Sequence, residues 1–341
     1  MMQTPHNVQR CLEEHRILTN LQGLRALAAL GVVVFHFGLM PATGIPFVIG
    51  ASGVDIFFVL SGFIIAHSSS RSARHFLAHR LIRVVPAYWI ATLFAAAFTL
   101  QNIDVGEAWG WLVQSLFYLP HPSGRPPLIF VGWTLVYELA FYLLYWLALR
   151  VGTREAPIVC IALLLILALF PVPGLPGPWP LLLEFGMGIG IYLAVERYGL
   201  PRLMPGWAGL LVAGVGLALL MILPPMDGYN HVLCWGVPAA IIVLGLIVAE
   251  RGGIALESKF ILILGAASYA IYLLHPITVG QLLQLPPNSP PISWALCMFA
   301  VGITVAVSVA FNMFIEVPLL RRLRGLLRDR LPIEQRISAQ T

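Results

Sequence analysis

Charge is what this sequence has least of. Asp, Glu, Lys and Arg make up 10% of its 341 residues, while 59% are hydrophobic; a soluble domain carries roughly 25% charged residues. That scarcity excludes a water-facing surface over most of the chain. Strand-period alternation of apolar and polar residues is also lacking, which excludes a transmembrane barrel and leaves helices as the spanning elements. Cysteine is sparse: Cys11, Cys160, Cys234 and Cys297 are far apart, so neither a disulfide framework nor metal-type spacing is visible. They read as small buried hydrophobes, and no metal is expected. The first 20 residues lack the apolar core and cleavage site of a signal peptide. No loop is long enough for a second soluble domain, and no internal repeat stands out.

What is present is a series of apolar runs, at about 21–40, 51–67, 84–100, 131–149, 157–170, 180–195, 207–223, 233–249, 260–280 and 292–315. A hydrocarbon core of about 30 Å takes roughly 20 helical residues to cross. The expected fold is therefore all-α, a polytopic membrane helix bundle of about ten transmembrane helices with both termini cytoplasmic. It divides into an N-terminal tail (1–20), a membrane domain (21–320) and a basic C-terminal tail (321–341). A further run, 108–120, is too short to span and is expected to be re-entrant or interfacial. The net charge is +5, but its distribution argues against nucleic acid and for a lipid bilayer. With the N-terminus inside, 18 of the 20 Lys and Arg fall in inner segments, Arg25 lies within the first helix, and only Arg125 falls outside. This is the positive-inside pattern.

Ionisable groups within apolar runs are costly and usually face a cavity or a partner. Arg25 and His36 are eleven residues apart, which is three helical turns plus about 20°, so both point the same way, roughly 16 Å apart along the axis. Either alone reads as readily as a snorkelling arginine or a packing histidine; the pair on one face favours function. Asp55, in the second run, is expected at the depth of His36, where a carboxylate could orient the imidazole. Ser61-Gly62 serves close helix approach or a site equally well. Arg80 and Arg83, three apart, would face together and suit a phosphate or pyrophosphate, or equally lipid headgroups. Glu138, Glu184 and His275, with Tyr272 one turn before it, are expected at the same depth as His36 and Asp55, all opening on one polar cavity. A cationic inner mouth and a histidine–carboxylate outer chamber suit acyl transfer from coenzyme A: arginines for the nucleotide phosphates, and a base for the hydroxyl that accepts the acyl group.

These motifs, taken in order, resemble the acyltransferase-3 family of bacterial membrane O-acyltransferases. Arg25 through His36 is similar to its Arg-x10-His motif, and Gly53 to Phe63 to its Gly-Val-x-x-Phe-Phe-x-x-Ser-Gly-Phe signature. Arg80, Arg83 and Pro86 fit Arg-Arg-x-x-Arg-x-x-Pro, with His79 in place of the first arginine. Ser268 to His275 resembles Ser-Tyr-x-x-Tyr-Leu-x-His. Trp133 to Tyr142 departs from Trp-Ser-Leu-x-x-Glu-Glu-x-Phe-Tyr in lacking the second glutamate, and is closest to the ExoZ-like exopolysaccharide acetyltransferase branch. The resemblance implies a multi-pass protein of a bacterial inner membrane. Acetyl-CoA would be the cytoplasmic donor, bound as substrate with no permanent cofactor, and a glycan or lipid-linked oligosaccharide the acceptor. It implies His36, Asp55 and Glu138 as catalytic groups, Arg25, Arg80 and Arg83 at the donor phosphates, and Ser61, Glu184, Tyr272 and His275 in the substrate cavity. A transporter or flippase of a lipid-linked sugar, or an acyltransferase for a lipid or small glycoside, is the competing expectation.

Overall fold

Long apolar stretches without water to satisfy their backbone must bond within themselves, and helices follow. The computed structural model describes residues 18–38, 48–69, 75–101, 103–119, 125–170, 179–199, 204–283 and 294–329, and every regular element among them is helical. In chain order these are α1 (Thr19–Gly38), α2 (Gly53–Ser69, entered through the 3-10 turn Val48–Ser52), α3 (Phe76–Thr99), α4 (Val105–Leu116), α5 (Trp133–Ala148) and α6 (Ala156–Leu169). There follow α7 (Leu182–Tyr192, prolonged by a π-turn at Leu193–Arg197), α8 (Gly206–Ile222) and α9 (Val237–Arg251, led in by Gly228–His231 and a π-turn at Val232–Gly236). The chain closes with α10 (Lys259–Ala266), α11 (Ser268–Leu283), α12 (Trp294–Phe311) and α13 (Val317–Asp329).

Each of the ten expected runs is apolar and helical, the ninth as two helices, α10 and α11. Among the described residues seven helices, taken with their flanking turns, are by length and composition long and apolar enough to cross a membrane. Helices α10 and α11 are bent by 66° at their junction and make an eighth if they form one broken span. Helices α6 and α8 have 14 and 17 residues, about 21 and 26 Å at 1.5 Å per residue, short of a core of about 30 Å. The 12 residues of α4 likewise fall short, and Tyr88 and Trp89 of α3 hold its end by bonds to the Ser115 and Leu116 carbonyls.

The distribution of polarity is inverted. Phe299 and Phe314 are 64% and 76% exposed, while Asp55, Glu184 and His275 are at most 2% exposed. A surface of large apolar groups over an interior of ionisable ones fits lipid, and together with the spans it makes this a multi-pass membrane protein.

Without a strong hydrophobic drive between helices, close packing rests on small residues. Helices α8 and α9 meet along Gly209, Gly216 and Gly245; a Cβ on Gly209 would lie 2.3 Å from the Ala249 nitrogen. Helices α2 and α7 meet at Gly62 and Gly188. The neighbours run 55 with 184, 62 with 188 and 67 with 192, so α2 and α7 point the same way. Glu250, near the end of α9, accepts from the backbone N–H groups of Thr19 (2.8 Å) and Asn20 (2.9 Å). It thereby caps the unsatisfied, positive start of α1 from the far end of the sequence. Glu196 pairs with Arg251 and with His67 (3.3 Å). These contacts gather the start of α1 and the ends of α2, α7 and α9 at one end of the bundle, the arginine end. The end of α1 and the starts of α2 and α9 meet at the other, the histidine end.

Candidate active site

Two cavities hold most of the ionisable groups singled out from the sequence, while Glu184 and His275 are fully buried and line neither. The first, of about 420 Å³, lies at the arginine end. Its walls carry Arg25 from α1, Ser61 and His67 from α2, Arg80 and Arg83 from α3, Glu138 and Tyr142 from α5, Tyr272 from α11 and Arg324 from α13. Arg80 donates to Ser68 Oγ and lies 5.6 Å from the Phe76 ring centroid. Glu138 accepts from the Tyr142 hydroxyl and sits 3.5 Å from Ser61 Oγ. Among the described residues, none of Arg25, Arg80 and Arg83 forms an ion pair. The break before α11 also places Ser268 and Tyr269 in this wall, so a helix start adds its partial positive charge to the guanidiniums. Four arginines against one carboxylate leave a strong positive excess, which an anion with several oxygens would satisfy.

The second cavity, of about 320 Å³, lies at the histidine end and is lined by His36, Asp55, Trp133, His231, Trp235 and Tyr272 among others. His36 Nδ1 is 2.9 Å from the Val32 carbonyl oxygen and 3.1 Å from His275 Nε2. A carbonyl can only accept, so Nδ1 carries the hydrogen and Nε2 is left as the basic nitrogen. Phe130 stands 5.0 Å from the His36 ring and His275 4.9 Å, which fixes the imidazole plane. Asp55 Oδ1 is 2.7 Å from His231 Nε2, and His231 Nδ1 lies 3.0 Å from the Met226 carbonyl oxygen. Glu184 is fully buried behind this pair. Val54 and Tyr272 line both cavities, and the Tyr272 hydroxyl is held at 2.9 Å from Thr134 Oγ1. The two chambers thus share a wall.

Arg25 and His36 both face inward from α1, as their spacing requires, and Arg80, Arg83 and Ser61 join Arg25 in one chamber. Three expected arrangements differ from what is found. Glu184 and His275 do not open on the cavity but are fully buried beside it, because each packs into the helix contacts around it. Glu138 does not share the depth of His36: it stands among the arginines, one chamber away. Asp55 lines the chamber of His36 but bonds to His231, and the ring of His36 is held by His275 and the Val32 carbonyl instead. Depth read along separate helices carries an error of a few residues, which is a full turn and enough to exchange partners. His231 is the group that sequence reasoning missed. It sits at the border between a polar turn and an apolar run, next to Asp227 and Asn230, where a histidine reads as loop.

An apolar-surfaced helix bundle enclosing a cationic chamber and a histidine chamber defines a class, the multi-pass membrane proteins with a polar internal site. Residues 18–311 match the family model described as an acyltransferase domain, so the chain belongs to the acyltransferase-3 family and is an acyltransferase for groups other than amino-acyl groups. It is 33% identical over 306 residues to the exopolysaccharide production protein ExoZ of Rhizobium meliloti (strain 1021), covering 83% of this chain and 93% of that one. It is 26% identical to the acyltransferase MdmB of Streptomyces mycarofaciens, over 90% of this chain and 92% of the other. A shorter match, 27% identical over 38% of this chain and 24% of the relative, is to the peptidoglycan O-acetyltransferase OatA of Listeria monocytogenes. No solved structure matches the chain.

Proposed function

We propose that this protein moves an acetyl group from cytoplasmic acetyl-CoA to a sugar hydroxyl of an exopolysaccharide, or of its lipid-linked precursor, in a bacterial inner membrane. One observation carries the reading. Arg25 and His36 project from one face of one helix into two chambers that share the Tyr272 wall, so a donor anchored by its phosphates at one would present its far end near the other. The names of the relatives, an exopolysaccharide production protein and a peptidoglycan O-acetyltransferase, support a glycan acceptor.

In this reading Arg25, Arg80 and Arg83 hold the phosphates of coenzyme A, and the pantetheine arm extends past Tyr272 toward His36. Nε2 of His36 takes the proton of the sugar hydroxyl, whose oxygen attacks the thioester carbonyl. The C–S bond breaks, and the departing thiolate takes the proton from the imidazolium, leaving free coenzyme A and a sugar ester. His275 positions the ring of His36. Glu138, hydrogen-bonded by Tyr142, and Ser61 lie along the path of the arm.

The test is His36→Ala. A general base contributes typically ~10²–10⁴-fold, so acetylation of the polymer, measured by mass spectrometry, should be abolished while the protein accumulates normally. Undiminished acetylation refutes the assignment. Purified protein supplied with labelled acetyl-CoA and glycan separates this reading from transport, because a flippase leaves no label on sugar.

A further inference from the structure

Asp55, Glu184 and His231 come from three separate elements, α2, α7 and the turn before α9, yet their ligating atoms all lie within 4.8 Å of one another. Asp55 is 2% exposed and Glu184 is 0% exposed, and neither oxygen of Glu184 meets a hydrogen-bond donor. His231 spends its Nδ1 hydrogen on the Met226 carbonyl at 3.0 Å. In the neutral ring Nε2 is then a lone pair, and it faces Asp55 Oδ1 at 2.7 Å. One imidazole thus faces two buried carboxylates: it pairs with Asp55 alone, Glu184 is left with no donor, and no guanidinium or ammonium pairs with either carboxylate among the described residues. Buried carboxylates without a compensating charge are strongly unfavourable. Gly236 keeps the space open, since a Cβ there would lie 2.9 Å from Glu184 Oε1.

We propose that Asp55, Glu184 and His231 bind a divalent cation of the Zn²⁺ or Mn²⁺ class. Two carboxylates and an imidazole are the mixed oxygen and nitrogen donor set such ions take, and three protein ligands leave a further position open. The Met226 carbonyl supplies the outer contact that orients a ligating histidine and fixes its tautomer. Ligand bonds of about 2.0–2.2 Å put tetrahedral donors roughly 3.4 Å apart, so Asp55 and His231, now 2.7 Å apart, part by about 0.7 Å when the ion enters. The open position faces the chamber of His36, where the ion would bind the acceptor hydroxyl. That role rests on the acyl-transfer reading; the binding of the ion does not.

A proton shared between Glu184 and Asp55, beside a charged His231, would satisfy the same three groups, and the experiment separates the two. Full-length protein in detergent is dialysed against chelator, then against metal-free buffer, and equilibrated with micromolar Zn²⁺ or, separately, Mn²⁺. Bound metal is measured by mass spectrometry. Wild type should retain about one equivalent more than Glu184→Gln and His231→Ala, and His36→Ala should retain as much as wild type. The melting temperature of wild type should rise with added cation and fall with chelator, and this decides the matter alone if the variants do not accumulate. Equal metal in wild type and both variants, or a wild-type melting temperature that neither cation moves, overturns the site and leaves the shared proton.

Discussion

Arginine inside a bilayer is informative because it must find an anion or leave. Arg25, Arg80 and Arg83 come from two helices, line one chamber and lack ion-pair partners among the described residues. A charged hydrogen bond to a phosphate is worth about 1.5–3 kcal/mol. Arg83→Ala should therefore raise the KM for acetyl-CoA about 10- to 100-fold, with kcat much less affected, and Arg83→Lys should recover part of the loss, since lysine keeps the charge but not the fork. Initial rates in isolated membranes measure this; an unchanged KM would remove Arg83 from the donor site. Much of this chamber was legible from spacing, because the period of a helix fixes which residues of one helix share a face. Arg25 with His36, and Arg80 with Arg83, are such pairs. The partners of Asp55 and His36 were not legible, because they depend on which neighbouring helix lies opposite, and helical period carries no information about that.

Elements meet where side chains are absent. Helices α2 and α7 approach until a Cβ on Gly188 would lie 2.0 Å from the Val59 carbonyl oxygen, and one on Gly62 2.1 Å from the Phe185 oxygen. That approach sets Glu184 beside Asp55, one turn before Gly188. Gly188→Leu should force the pair apart, at a cost of about 1–3 kcal/mol or more, and show as loss of the monodisperse protein peak in detergent together with loss of activity. Gly190→Ala, two residues on with nothing within 4 Å of its Cβ, is the control and should behave as wild type. Equal tolerance of both substitutions would mean the contact does not hold the helices. The apolar runs announced nearly every helix, because lipid imposes the same requirement on each. The bend between α10 and α11 was hidden: the run from 260 to 280 reads as one continuous span, no proline marks Ala267, and the junction is held by packing of Gly265 on the Gln22 carbonyl oxygen of α1.

At the scale of the whole molecule the two ends differ in charge and in chemistry, and the proposed reaction needs them to face particular compartments. The capping of Thr19 and Asn20 by Glu250, the Glu196–Arg251 pair and the Arg80–Ser68 bond all lie at the arginine end. Arginine-rich loops are retained on the cytoplasmic side during insertion, and acetyl-CoA is a cytoplasmic thioester, so topology and donor supply demand the same orientation. Asp227, beside the histidine chamber, and Glu257, between α9 and α10, are both exposed, and exactly one span, α9, separates them. In a background with the four native cysteines replaced, a membrane-impermeant maleimide should label Asp227→Cys in intact cells and Glu257→Cys only after the membrane is permeabilised. The reverse pattern would turn the guanidiniums away from the donor, and a donor site built on Arg25, Arg80 and Arg83 could not then be filled from the cytoplasm whatever their affinity for phosphate.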